Sequence, residues 1–456
     1  MKRLLLTHGY FLGEDAKEQQ IMKPYPPLGI LYLSSHLKAH GFKVDVYDST
    51  FGSREELFRI LSDEPAGVIG IYGNLMTRSN VLAIAERAHT AGWLVIIGGP
   101  EPANYADEFL ASGADIIIEG EAERTLQELA ATDFDRDVWP SIRGLIFYSS
   151  TARSDDGDRE IVRTGPVELI GDLDKQPWPD REQVDIGRYL DVWRTHHGLG
   201  SVSLITARGC PYKCNWCSHS VYGHTHRRRS PAGVVDEIEW VLNRYSPEML
   251  WIADDVFTIH HGWLAQYAGE MRRRGIRIPF ECITRADRVN PAVAETLAEL
   301  GCMRVWIGSE SGSQKILDAM QRGVTTDQVR TAVSLCRSHG IQVGMFLMWG
   351  YEGEDLSDIE ATVNHVKRCR PDVFFTTVSY PIKGTPYFDR VSSKIIRIRG
   401  WQESTDREIV IRGRHSRRFY HYADELLRAE MAAEPNPMRI DAARCALESA
   451  ATEVEA

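Results

Sequence analysis

Short apolar runs and amphipathic stretches alternate along the first 150 residues. The apolar runs are Leu4–Leu6, Val44–Tyr47, Val68–Tyr72, Leu94–Ile97 and Ile116–Ile118. Between them lie helical patterns such as Leu28–His40 and Ser79–Ala91, closed by Gly41 and Gly92, where a helix end accepts left-handed backbone. Near-continuous apolar strands separated by helices predict a parallel sheet covered on both faces. We therefore read residues 1–150 as a doubly wound, Rossmann-like α/β domain. Ligands of such sheets sit beyond the strand C-terminal ends. Three loops fall there: Gly73-Asn74-Leu75-Met76-Thr77, Gly98-Gly99-Pro100-Glu101-Pro102 and Glu119-Gly120-Glu121. Their glycines let backbone approach a ligand closely. No G-x-G-x-x-G follows the first strand and no G-x-x-x-x-G-K-[ST] occurs, so neither NAD nor ATP is the favoured ligand.

Residues 151–200 change character. Residues 154–160 form a polar turn, and Pro177-Trp178-Pro179-Asp180 is extended, so the segment reads as a linker. From residue 201 the alternation resumes with longer helices. Strands are predicted at Val202–Ala207, Met249–Ala253, Phe280–Thr284, Arg304–Gly308, Val343–Trp349 and Val373–Ser379. Six βα units over 201–385 predict a partial (β/α)6, TIM-like barrel with its chemistry at the strand C-terminal ends. Residues 386–456 are polar and read as mostly helical, without visible chemistry.

Charge narrows the function. The chain has 456 residues, 53 Lys+Arg and 64 Asp+Glu, a net charge of −11. An acidic protein is a poor general nucleic-acid binder, which needs basic surface to displace counterions. The basic run Arg227-Arg228-Arg229 reads as local framing of a neighbouring loop. No apolar run reaches the ~18 residues of a membrane span. The N-terminal apolar core is too short for a secretion signal, so a cytoplasmic location is expected.

Cysteine carries the chemical signal. Of eight cysteines none precedes Cys210, three fall at 210, 214 and 217, and Cys282, Cys302, Cys336, Cys369 and Cys445 are scattered singly. A disulfide framework would be spaced differently. Three thiolates from one short loop suit an iron–sulfur cluster with one iron left open to a small molecule. The competing readings are three buried thiols, or a zinc knuckle completed by His219 or His224. The scattered cysteines read as small buried hydrophobes.

The segment Arg208-Gly209-Cys210-Pro211-Tyr212-Lys213-Cys214-Asn215-Trp216-Cys217 resembles the radical S-adenosylmethionine (SAM) enzymes, whose motif is C-x-x-x-C-x-aromatic-C. The resemblance implies a [4Fe-4S] cluster on Cys210, Cys214 and Cys217, with Trp216 at the aromatic position. SAM would bind the open iron and be cleaved to a 5′-deoxyadenosyl radical. It extends along the barrel through Arg229-Ser230-Pro231, Asp254-Asp255 after the second strand, Arg285 after the third and the Gly308-Ser309-Glu310-Ser311-Gly312-Ser313 loop after the fourth. Tyr380 to Pro386 resembles the family's P-x-x-G-T-P turn. Asp254, Asp255, Arg285, Glu310 and Ser311 are thus candidate SAM contacts, Glu310 because a carboxylate accepts from both an amino group and a ribose.

The N-terminal domain resembles the cobalamin-dependent subclass, through Pro26 to Leu33, the Gly98-Gly99-Pro100 loop and Glu119-Gly120-Glu121. This implies cobalamin contacts at Pro27, Leu28, Asn74, Gly98, Gly99, Pro100, Glu119 and Gly120. The D-x-H-x-x-G signature of a histidine-ligated cobalt is absent, so the resemblance implies cobalamin without a histidine ligand, its lower face toward the 73–78 loop. The tRNA methylthiotransferases are similar in the barrel but carry three further cluster cysteines in the first domain, where this chain has none. The expected function is a cobalamin-dependent radical SAM methyltransferase, moving a methyl from methylcobalamin to an unactivated carbon of a small-molecule, secondary-metabolite or lipid-like substrate. An electron donor such as flavodoxin or ferredoxin, no nucleic-acid partner and no membrane span are expected. The alternatives are a non-methylating cyclase or rearrangement enzyme on the same scaffold, and a cobalamin-binding sensor without catalysis. Segments 185–200 and the region after 385 would set the substrate.

Overall fold

The structure, a computed structural model, describes residues 2–153 and 159–455, and of 150–153 the backbone alone. Most of the polar turn read at 154–160 lies outside the described residues. The first sheet has seven strands: β1 (Leu4–His8), β2 (Val44–Val46), β3 (Val68–Tyr72), β4 (Leu94–Gly98), β5 (Ile116–Ile118), β6 (Leu145–Arg153) and β7 (Arg159–Arg163). Their order is β2-β1-β3-β4-β5-β6-β7. β1 to β5 are parallel, and β6 and β7 add an antiparallel end. Successive residues on a strand point to opposite faces. Leu5, Ile69, Val95 and Ile117 pack into one core, while Leu4, Leu6, Val68, Ile96 and Ile116 pack into another. Burial on both faces explains why these strands read as unbroken apolar runs.

Part of the segment read as a linker belongs to the domains it joins. β7 completes the first sheet, and helix Ile186–His197 buries Ile186 and Leu190 in the barrel's core. The same helix reaches back to the first domain, where Tyr189 donates to Asp48 (2.7 Å) and the Trp193 indole N–H to the carbonyl of Pro24 (2.8 Å).

The second sheet has six parallel strands: β8 (Ser201–Leu204), β9 (Met249–Ile252), β10 (Phe280–Thr284), β11 (Cys302–Glu310), β12 (Gln342–Trp349) and β13 (Val373–Val378). They run in chain order across the sheet, with β8 and β13 as its edges. The barrel is therefore partial. Val202, Leu250, Cys282, Val305, Met345 and the inner faces of the helices form one large core between sheet and helices.

The C-terminal region carries helices Pro386–Val391, Arg417–Glu430 and Pro437–Ala450, plus a two-stranded ladder of Ile395–Ile396 with Val410–Ile411. Phe419, Tyr420, Leu426 and Leu427 join the barrel core. Residues 401–406 instead return to the first domain. The fully buried Arg78 donates to the carbonyls of Trp401 (3.3 Å) and Ser404 (2.8 Å) and to Asp406 (3.0 Å), and it pairs with Glu101. Its guanidinium lies 4.7 Å from the Trp401 ring and 5.0 Å from that of Tyr105. Removing one partner of such a buried network costs roughly 3–5 kcal/mol. This strap had no signal in the sequence.

Among the described residues, no helix is long and apolar enough to cross a membrane.

Candidate functional site

The C-terminal ends of both sheets face one another across a cavity of about 540 Å³. Seven of the eight residues expected to contact cobalamin line it: Pro27, Leu28, Asn74, Gly98, Gly99, Pro100 and Gly120. Glu119 does not; it turns to the surface and pairs with Arg163 at 3.7 Å. The next acidic residue, Glu121, lines the cavity instead. The cavity edge at Gly98 is open, since a Cβ there would meet nothing nearer than 4.0 Å. Gly99 has φ +115°, and a Cβ would sit 2.3 Å from the carbonyl oxygen of Gly73. Glycine is required at 99, because the two cavity loops touch backbone to backbone. The Asn74 carboxamide oxygen accepts from the N–H groups of Met76 (2.9 Å) and Thr77 (3.1 Å), which fixes the 73–78 loop. His8 also faces the cavity, but both ring nitrogens are engaged, one with Asp48 (3.0 Å) and one accepting from the Tyr10 N–H (3.2 Å). An open apolar cavity edged by bare backbone fits a broad planar macrocycle.

The opposite wall comes from the barrel: Ile205, Arg208, Gly209, Cys210, Ser218 to Gly223, and Asp255. The cysteine loop leaves β8 through Ala207–Arg208, which pairs antiparallel with Arg227–Arg228. Each arginine of the basic run has a carboxylate partner. Arg227 binds Glu121 (2.7 Å), Arg228 binds Asp254 (2.8 Å) and Arg229 binds Glu237. The run is internal framing, as expected. Arg208, two residues before Cys210, reaches into the first domain to Glu121 (2.8 Å) and Glu123 (2.7 Å). Burial alone would raise the Glu121 carboxyl, but Arg227 and Arg208 hold it below the ordinary carboxylate range.

Cys214 is buried, Cys210 half-buried and Cys217 exposed. Burial raises the Cys210 thiol, and the neighbouring Asp255 and Cys214 add to the effect. Two guanidiniums face the Cys214 sulfur, Arg322 at 3.6 Å and Arg285 at 3.8 Å. Arg285 is fixed by Asp287 (2.9 Å), by the carbonyl of Arg322 (2.9 Å) and by the Tyr212 ring at 3.7 Å. Among the described residues no three His, Cys, Asp or Glu side chains converge on a single-ion site. The thiols are thus not drawn onto one point, as a zinc knuckle would need, and the His219 ring lies 4.0 Å from that of His224, tilted by 40°. Three thiols on one loop, faced by two cations, fit a larger anionic cluster.

The SAM candidates divide. Asp255 lines the cavity, its carboxyl raised by burial and by Asp254. Glu310 has φ +61°, a conformation uncommon outside glycine, at a register shift in β11. Its carboxylate is raised by burial despite Arg322 and Arg285, and the Arg322 Nε lies 3.9 Å away. Glu310 is therefore held beside the cysteine loop with acceptor capacity to spare. Asp254 corrects the expectation. It is fully buried and accepts from the N–H groups of Thr206 (2.7 Å) and Ala207 (3.0 Å) as well as from Arg228. Its oxygens fasten the base of the cysteine loop. Ser311 is also internal, bonded to Thr362 (3.1 Å) and to the Ser313 N–H (3.1 Å). Trp216 packs away from the cavity, edge-on to Tyr351 at 6.4 Å. Sequence reasoning missed Arg322 and Glu123, and read Arg208 only as part of the cysteine motif. Arg322 sits in a polar turn with no motif, and Glu121 was visible only as the second acid of Glu-Gly-Glu.

Residues 204–366 match the radical SAM superfamily and residues 20–130 match the B12 binding domain. With both domains in one chain, the protein is a cobalamin-binding radical SAM enzyme. It is 25% identical over 413 residues to an uncharacterized methyltransferase of Pyrococcus horikoshii, covering 88% of this chain and 86% of the relative. It is 24% identical over 404 residues to the anaerobic magnesium-protoporphyrin IX monomethyl ester cyclase of Rubrivivax gelatinosus, covering 86% and 70%. In fold it is similar to the radical SAM methyltransferase TsrM from Kitasatospora setae, solved with cobalamin and a [4Fe-4S] cluster bound (TM-score 0.69, 21% identity, 86% of this chain and 75% of that one).

Proposed function

We propose that the protein is a methyltransferase that acts on an unactivated carbon of a small molecule. One observation carries the reading. The cysteine loop and the glycine-edged strand ends of the B12 binding domain line the same cavity, with Cys210 and Asp255 on one wall and Asn74, Gly98 and Pro100 on the other. When bound, the cluster with SAM supplies a hydrogen-abstracting radical and cobalamin supplies a transferable methyl group, leaving the hard chemistry to the cofactors.

The chain's own residues hold and orient. Cys210, Cys214 and Cys217 hold the cluster. Arg285 and Arg322 offset the negative charge of its Cys214 edge. Glu310 would accept from the amino group or ribose of SAM, and Asp255 faces the shared cavity. Pro27, Leu28, Gly98, Gly99, Pro100 and Gly120, with the Asn74 turn, would seat cobalamin. Arg208 ties the cysteine loop to Glu121 and Glu123 and so fixes the distance between the two halves. A bound cluster would need an external one-electron donor, such as a flavodoxin or ferredoxin.

The test is anaerobic reconstitution with iron, sulfide and hydroxocobalamin, followed by methyl-deuterated SAM, a reductant and candidate small molecules. A product heavier by one deuterated methyl group supports the reading. SAM cleavage with no methylated product from any candidate counts against it. Product mass also separates the second reading, a non-methylating cyclase, favoured by relatives of that activity at nearly the same identity. Loss of hydrogen or gain of oxygen would be its signature.

A further inference from the structure

The inner face of the partial barrel carries an aromatic wall on its last three strands. On β11 and β12 the residues Val305, Ile307, Val343, Met345 and Leu347 point to the helices and pack into the core. The alternate positions face inward. There Trp306, Phe346 and Phe375 form a parallel set. Trp306 lies 5.1 Å from Phe346 at 19° and 5.2 Å from Phe375 at 6°, and the two phenyl rings are 6.4 Å apart at 19°. Trp306 is buried and its indole N–H donates to Glu281 (2.7 Å), which also pairs with Arg304 (3.0 Å). The ring lies flat over β12 because residue 344 is glycine; a Cβ there would sit 2.4 Å from the indole. Phe375, in contrast, is 50% exposed.

The wall is continuous with the reaction end. Phe346 pairs in register with Gly308 on one side and with Phe375 on the other. A Cβ at Gly308 would sit 2.8 Å from the Glu310 carboxylate and 2.6 Å from Arg322. One strand position therefore separates the rings from the group assigned to SAM. An aromatic ligand on such a ring gains a stacked or edge-on contact beyond the area it buries, which a saturated one does not.

We propose that Trp306, Phe346 and Phe375 form the substrate wall, and that the substrate is a planar conjugated ring system laid against Phe375. The inference rests on the radical SAM reading of the barrel and specifies its substrate class.

The test uses the full chain loaded with cobalamin, so that the interdomain cavity is filled, and calorimetric titration with naphthalene-2-carboxylate and with its fully saturated decalin counterpart. The aromatic probe is expected to bind more tightly, and F375L to weaken it about three- to tenfold while F375Y restores it. F346L is expected to act in the same direction, and thermal melting reports whether each variant is folded. Equal binding of the two probes, or binding unchanged in F375L, overturns the proposal. SAM cleavage by the wild type is measured separately. Its failure alongside a weakened aromatic probe would remove the function reading and leave the wall standing.

Discussion

Arg208, two residues before Cys210, and Glu121 join across the domain interface at 2.8 Å. Both side chains are almost wholly buried. Glu121 also takes Arg227, so its loss would leave two guanidiniums without that partner. Glu121→Ala is expected to cost roughly 3–5 kcal/mol of stability, the usual cost of stranding a buried charge. Hydroxocobalamin affinity, followed by absorbance titration, should fall with it. Glu119→Ala, which breaks only the surface contact with Arg163, should stay within about 0.5 kcal/mol. Equal effects of the two substitutions would contradict the placement of Glu121.

Arg322 donates toward the Cys214 sulfur at 3.6 Å and Arg285 does so at 3.8 Å. Positive donors on a cluster sulfur favour the more negative reduced state. Arg322→Met should therefore shift the cluster midpoint potential to more negative values. Electron paramagnetic resonance during a redox titration reads this directly, with iron content as the control. A potential that stays put or rises would show that Arg322 only packs.

Glu310 combines left-handed backbone with a carboxylate raised by burial, and the Arg322 Nε stands 3.9 Å from it, beyond hydrogen-bond reach. Glu310→Gln is expected to weaken SAM about tenfold or more, since a hydrogen bond to a charged group contributes about 1.5–3 kcal/mol. Equilibrium dialysis with SAM measures it. Cluster and cobalamin content should not change, which separates a SAM contact from a folding defect.

Glu354 gives a pH signature. Its carboxylate is buried behind β12, accepts from the Gly350 N–H, and is pushed up to about 8 by burial and the neighbouring Asp358. Below the ordinary value of 4.5 both folded and unfolded chains hold the proton. Between there and about 8 the unfolded chain releases it and the folded chain keeps it, so stability falls as pH rises through that window. The loss is on the order of a few kcal/mol. Melting temperatures from pH 5 to 8.5 should decline more steeply in the wild type than in Glu354→Gln.

The parts of this molecule that were legible in the sequence are those where local chemistry and global fold agree. All six barrel strands stand where their apolar runs lie, because each packs one face against helices. The cysteine triad was visible because its three thiols come from one short loop. The glycines of the cavity edge were visible because they close strands. What stayed hidden depends on groups far apart in the chain. Asp254 reads as a ligand until its oxygens are seen bonded to Thr206, Ala207 and Arg228. Glu119 and Glu121 look equivalent until the turn at Gly120 sends one to the surface and the other to Arg208. The Arg78–Asp406 contact spans 328 residues, and no local pattern announces it.

The central claim is that the cysteine loop performs radical SAM chemistry facing a bound cobalamin. The most direct measurement is 5′-deoxyadenosine formation by protein reconstituted anaerobically with iron, sulfide and hydroxocobalamin, given SAM and a reductant. The wild type should form 5′-deoxyadenosine and retain stoichiometric cobalamin. Cys214→Ala should keep the cobalamin and form none. No 5′-deoxyadenosine from the wild type, or as much from Cys214→Ala, would contradict the account.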